Sequence, residues 1–150
     1  MAFGDLLDQA LHSATVVPRL SAAAVKAGVG PAGTVEVLRI SEAALRTAAA
    51  EGRGTPGRTN AMRHFMWQAV LTARFGLDTA RMLAAAQEAG TPNSKDSAID
   101  EHNNAAGQVY GTEHADQLKV GSPSEVMTML VPVALAKWEA AELIWVRPRS

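Results

Sequence analysis

Thr59-Asn60-Ala61-Met62-Arg63-His64-Phe65-Met66-Trp67-Gln68-Ala69-Val70 places apolar side chains at Met62, Phe65, Met66, Ala69 and Val70, at helical rather than alternating spacing. Thr59 offers a capping hydroxyl and Gly76 a stop, so the pattern predicts a helix from about Thr59 to Phe75. On that helix Asn60, His64 and Trp67 share a face. A second cluster, Asp100-Glu101-His102-Asn103-Asn104-Ala105-Ala106-Gly107, puts Asp100, Asn103, Asn104 and Gly107 on one face in the same way. A polar side chain buried without a partner costs about 1–3 kcal/mol, so two such faces must satisfy each other or serve a ligand. The two helices are therefore expected to pack directly, with His64 within reach of Asp100 or Asn104.

The rest of the chain reads as helices separated by glycine and proline. Ala2 to Lys26 has a broken helical period interrupted by Pro18, giving two short helices or one kinked helix. Gly28-Val29-Gly30-Pro31 reads as a stop, Thr34 to Ala50 as the next helix, and Glu51-Gly52-Arg53-Gly54-Thr55-Pro56-Gly57 as the clearest linker. Asp78 is positioned to cap a helix that Gly90 and Pro92 end, Ser94 or Asp96 to cap the next, and Gly111 to close it. Ser122-Pro123-Ser124-Glu125 has the form of a capping box and predicts a long helix toward Trp145, kinked at Pro132. No stretch alternates long enough to argue a strand. The expectation is an all-α single domain, a compact bundle of about five to seven helices. It would comprise N-terminal helices over 1–52, motif-bearing helices over 58–111 and a long C-terminal helix over 122–146.

Composition narrows the function classes. The chain has 150 residues, 47% hydrophobic and 19% charged, enough apolar surface for one core. A net charge of -1 with mixed signs supplies no basic field for duplex nucleic acid. With no cysteine, disulfides, thiolate nucleophiles and cysteine zinc sites are excluded. Asp5 and Asp8 precede any basic residue, the wrong charge order for a secretory signal peptide. The most apolar run, Val126 to Ala136, is too short to span a bilayer and contains Pro132. A soluble protein is expected, either cytoplasmic or secreted by a non-classical route. Phosphate-binding glycine loops, nucleophile elbows, HExxH and EF-hand loops are absent, which disfavours standard cofactor enzymes.

The two clusters carry the candidate chemistry. His64, a turn from both Asn60 and Trp67, reads as a general base oriented by the amide, although a lone histidine is more often a core residue bonded to a carbonyl. Arg63 beside it suits a phosphate or a developing oxyanion. Asp100 would orient His64 or bind a metal, and Asn60, Trp67, Asn103, Asn104 and Gly107 would contact substrate. Two consecutive asparagines lower helix propensity, so something offsets their cost. Glu88, Asp100 and His102 are the candidate ligands for a divalent metal, with His102 well round the helix from Asp100. The competing use of the same residues is a buried polar network that pins two helices together, in which case Trp138 and Trp145 would be core or a partner-facing surface. An open polar cleft holding Arg63, His64, Asp100 and Asn104 would separate the two.

The pattern Asn60-Ala61-x-Arg63-His64-x-x-Trp67, Phe75-Gly76 and Asp100-x-His102-Asn103-Asn104-x-x-Gly107 resembles an uncharacterised bacterial domain at the C-terminal ends of wall-associated and Rhs-type polymorphic toxins. The likeness covers about Asn60 to Gly111. Where that family carries a His-Glu pair, this chain reads Gln87-Glu88, so the glutamate remains and the histidine does not. The resemblance implies a secreted effector or toxin context with a cognate immunity protein as partner. Joined to the residues, it gives an effector-type hydrolase of an anionic ester or phosphodiester, with a lipid or nucleotide as substrate.

Overall fold

Helix propensity and apolar spacing are realised throughout: the computed structural model describes residues 17–55, 57–89 and 94–145, and no strand occurs among them. The chain is an all-α domain in which α1 covers 17–27, α2 Gly30–Glu51, α3 Arg58–Phe75, α4 Leu77–Glu88, α5 Ser94–Glu113, α6 Ala115–Leu118 and α7 Pro123–Glu139. The first 16 positions, Pro56, the Gly90 and Pro92 stop and the side chains of Ser94 and Asp96 lie outside the described residues, and with them the expectations placed there.

The amphipathic stripe expected of α3 proves to be a buried cylinder. Ala61, Met62 and every residue from His64 to Ala73 are buried, because α2, α4, α5, α6 and α7 all pack against this one helix. Phe65, Met62, Met66 and Leu71 join Leu20, Ile40, Leu83, Leu118, Met127 and Leu130 in the core. Burying each such side chain contributes about 1.5–3 kcal/mol, so the core strongly fixes where α3 sits. Arg74 fastens the end of α3 by donating to the carbonyls of Leu118 and Gly121 and to Glu36 on α2.

Several boundaries differ from expectation, each for a local reason. The stop at Gly28 is a tight turn, and α2 restarts at Gly30 rather than at Thr34, with Pro31 in its first turn, where a missing N–H costs nothing. α3 starts at Arg58 on Gly57, whose φ of 76° is left-handed, instead of capping on Thr59. A Cβ on Gly57 would run into Trp145, so conformation and space both require glycine. Gly76 caps both α3 and α4, leaving Asp78 in the first turn of α4, where its charge suits the helix dipole. Ser122 caps α7 as expected, its hydroxyl accepting from the Glu125 N–H at 3.2 Å.

Two corrections are larger. Gly111 does not end α5, which runs through it to Glu113; the motif-bearing region therefore extends past 111. Added Cβ atoms at Gly107 and Gly111 would strike the backbone carbonyls of Phe65 and Ala69, so these glycines serve to lay α5 directly on α3. The C-terminal helix stops at Glu139 and does not reach 146. Ala141 adopts a left-handed φ of 59°. Its N–H bonds the Trp138 carbonyl and the Glu142 N–H bonds that of Lys137, the paired pattern that closes a helix. Glycine usually marks this closure in a sequence, and alanine conceals it. Trp138 is half-buried on α7, whereas Trp145 lies beyond the helix against Gly57.

Candidate functional site

The glycine-lined crossing of α3 and α5 sets the two polar faces against each other. Asn60 Nδ2 donates to Asp100 Oδ1 at 2.8 Å, and its Oδ1 accepts from Arg63 at 3.0 Å. Arg63 also approaches His64 Nε2 at 3.2 Å, and His64 Nδ1 lies 2.8 Å from Asn104 Oδ1. A guanidinium only donates and an amide oxygen only accepts. On a neutral ring these two partners favour a proton on Nδ1, toward Asn104, and a lone pair on Nε2, toward Arg63. That same Nε2 is 3.3 Å from Asp100 Oδ1. His64 is 1% exposed, Asn104 4% and Asp100 9%.

Glu88, at the end of α4, completes the group. One ligand-capable atom from each of His64, Glu88 and Asp100 lies within 4.8 Å of the others. Both carboxylate oxygens of Glu88 are buried and neither meets a hydrogen-bond partner of good geometry among the described residues, while Ser97 and Asp100 stand close enough to shift its proton affinity. Burial raises the Glu88 carboxyl from 4.5 to about 7, with the nearby Asp100 charge adding to the rise and Ser97 and Arg63 opposing it. Burial likewise lowers the proton affinity of Arg63, which Asp100 and Glu88 partly restore.

A cleft of about 480 Å³ between α4 and α5 is lined by Arg81, Ala84, Glu88, Ser97, Glu101 and Asn104. Of the network, Glu88 and Asn104 reach the cleft wall; His64, Asp100 and Arg63 stand behind them.

Asn60, Arg63, His64, Asp100 and Asn104 thus come together, while three residues expected to contact substrate are otherwise engaged. Trp67 donates its indole N–H to Ser41 on α2 at 2.9 Å. Asn103 binds the backbone of Ile144 twice, donating to its carbonyl at 2.8 Å and accepting from its N–H at 2.9 Å. Gly107 meets the backbone of α3. His102, a metal candidate, points to the Glu142 carbonyl 2.9 Å away and holds the C-terminal segment with Asn103, on a different part of α5 from Glu88. Among residues not anticipated, Gln108 donates to the buried Gln68 at 2.7 Å and extends the line of polar contacts between α3 and α5. Glutamines one turn beyond Asn104 and His64 were the signal for it.

The fold and this site define a small helical domain with a histidine–carboxylate–amide centre. The chain belongs to a family described as a domain of unknown function, DUF6973, whose model matches residues 29–136. That match includes every residue of the centre. No curated protein and no solved structure matches the chain.

Proposed function

We propose that this domain is a small effector-type hydrolase of an anionic ester or phosphodiester, with the α4–α5 cleft as its entry. The observation that carries the reading is the geometry around His64: Nδ1 lies 2.8 Å from Asn104 Oδ1 and Nε2 faces Arg63 and Asp100, an arrangement suited to a ring that keeps its proton on Nδ1 and is basic at Nε2. In such a site Nε2 takes a proton from water, the water oxygen bonds to the ester carbon or phosphorus, and the departing alkoxide receives the proton from the imidazolium. Asp100 stabilises that imidazolium and Arg63 the developing anionic oxygen. The effector setting, with an immunity protein as partner and a lipid or nucleotide as substrate, is supported by the resemblance of the motif residues alone.

A second reading is favoured by one observation, the near-complete burial of His64. Under it the same bonds form a noncatalytic network that fixes the α3–α5 crossing in a helical interaction module. Hydrolysis of nitrophenyl ester and phosphodiester substrates by the His64→Ala, Asp100→Asn and double variants separates the two. A base and its orienting group act as a unit, so each single change should lower activity per folded molecule by about a hundredfold or more, with little further loss in the double variant. Because His64 is buried, His64→Ala should also cost about 1–3 kcal/mol in chemical denaturation. Unaltered activity per folded molecule would end the hydrolytic reading and leave the structural one.

A further inference from the structure

Three lone-pair donors converge behind the wall of the cleft: a ring nitrogen of His64, whose Nε2 is 3.3 Å from Asp100, and a carboxylate oxygen from each of Glu88 and Asp100, all within 4.8 Å of one another. Such convergence is unfavourable unless a proton or a metal cation is shared among the three, since lone pairs of a neutral imidazole and two carboxylates repel. Arg63 answers part of this by donating to Nε2. It makes no hydrogen bond to Glu88, whose two oxygens are both buried and without a hydrogen-bond partner among the described residues. A carboxylate desolvated in that way is an independent sign that a ligand is missing from it. The imidazole is also prepared for coordination, because metal-binding histidines commonly donate the opposite ring N–H to an outer acceptor, here Asn104 at 2.8 Å. Asn60 plays the matching part for Asp100, donating to Oδ1 at 2.8 Å.

We propose that His64 Nε2, Glu88 and Asp100 form a three-ligand site for one divalent first-row transition ion, with its open position toward the α4–α5 cleft. Donors around such an ion sit about 2.0–2.2 Å from it, so ligand atoms spread over 4.8 Å need only small side-chain rotations to close on one. One imidazole with two carboxylates suits Zn2+ or Mn2+ and disfavours Mg2+ and Ca2+, which prefer oxygen alone. An ion on Nε2 displaces the Arg63 donor from that atom, while Arg63 retains Asn60 Oδ1. Two carboxylates, a guanidinium and a divalent ion sum to +1, a charge that suits an anionic substrate oxygen or a hydroxide in the open position. His102 takes no part. Ion binding stands on this geometry by itself; its use in catalysis rests on the hydrolytic reading and would change the roles of His64 and Asp100 in it, both holding the ion while the ion, in place of the His64 base, would activate the attacking water.

The test is calorimetric titration of the chelator-treated full chain with Zn2+ and, separately, Mn2+. One ion should bind per chain. Glu88→Gln and His64→Gln should each weaken binding by more than the about 10–100-fold typical of outer-shell changes, and His102→Ala should leave it unaltered. Absence of binding for both ions, or binding indifferent to Glu88→Gln, overturns the proposal. Circular dichroism checks the folding of each variant. Should both ligand variants fail to fold, the visible spectrum of the parent chain with Co2+ decides: bands of a protein-bound ion support the site and the spectrum of aqueous Co2+ overturns it. Ion binding without hydrolysis would uphold the site and end the hydrolytic reading. Hydrolysis that survives chelation would uphold that reading and remove the metal from it.

Discussion

Glu88 shows how much one residue's placement changes its meaning. As the last residue of an alanine-rich helix it reads as a solvated terminus, yet in the fold both its oxygens are buried beside Asp100. Its carboxyl, raised from 4.5 to about 7, makes the metal-free folded chain bind more protons than the unfolded one across that interval. Stability from this group is fully present below the ordinary carboxylate range and declines as pH rises through about 7. Glu88→Gln in chelator should therefore be more stable than the parent at about pH 8, close to it at about pH 4, and flatter between them. Denaturation across that range measures it, and equal pH slopes in parent and variant would contradict the assignment. His64 contrasts with Glu88: its neighbours Asn60 and Arg63 lie within one turn of α3 and were visible beforehand.

At the level of elements, helix identity followed from periodicity, and termini depended on what packed beside them. α7 is the clearest case, because its closure uses Ala141 in a left-handed conformation that ordinarily selects glycine. An L-residue there costs about 1–2 kcal/mol of backbone strain. Ala141→Gly should relieve it and raise the unfolding free energy by about 1 kcal/mol, the greater flexibility of glycine in the unfolded chain offsetting part of the gain. A lower midpoint in the variant would mean that the alanine methyl contributes packing that outweighs its strain. The C-terminal segment after this turn is held by His102 and Asn103, which explains two conspicuous polar residues without recourse to a ligand.

For the whole molecule, the contact between α3 and α5 governs both core and site. Gly107 and Gly111 let the two backbones approach until an added methyl would meet the carbonyls of Phe65 and Ala69. Gly107→Ala must push the helices apart or distort them, at a cost of about 1–3 kcal/mol or more in chemical denaturation. Wild-type stability in that variant would show that the crossing has room to relax. Because His64, Asn104, Asn60 and Asp100 bond across this crossing, separation should also weaken the site before the domain unfolds. Among the described residues no helix is long and apolar enough to cross a membrane.

Local chemistry in the sequence determined the all-α class, the course of α3, the capping of α7 by Ser122 and the pairing of two polar faces. The helices, the cap and the makeup of each polar face depend on residues three or four apart, whose relation a helix fixes, and the pairing follows from the cost of leaving either face unsatisfied. Tertiary structure decided the rest. Only packing could show that Trp67 turns to Ser41, that Gly107 and Gly111 are there for close approach, and that Asn103 binds a segment 41 positions away. It also brought Glu88 from a third helix to His64 and Asp100, a meeting with no local signature because desolvation is a property of everything that surrounds a group.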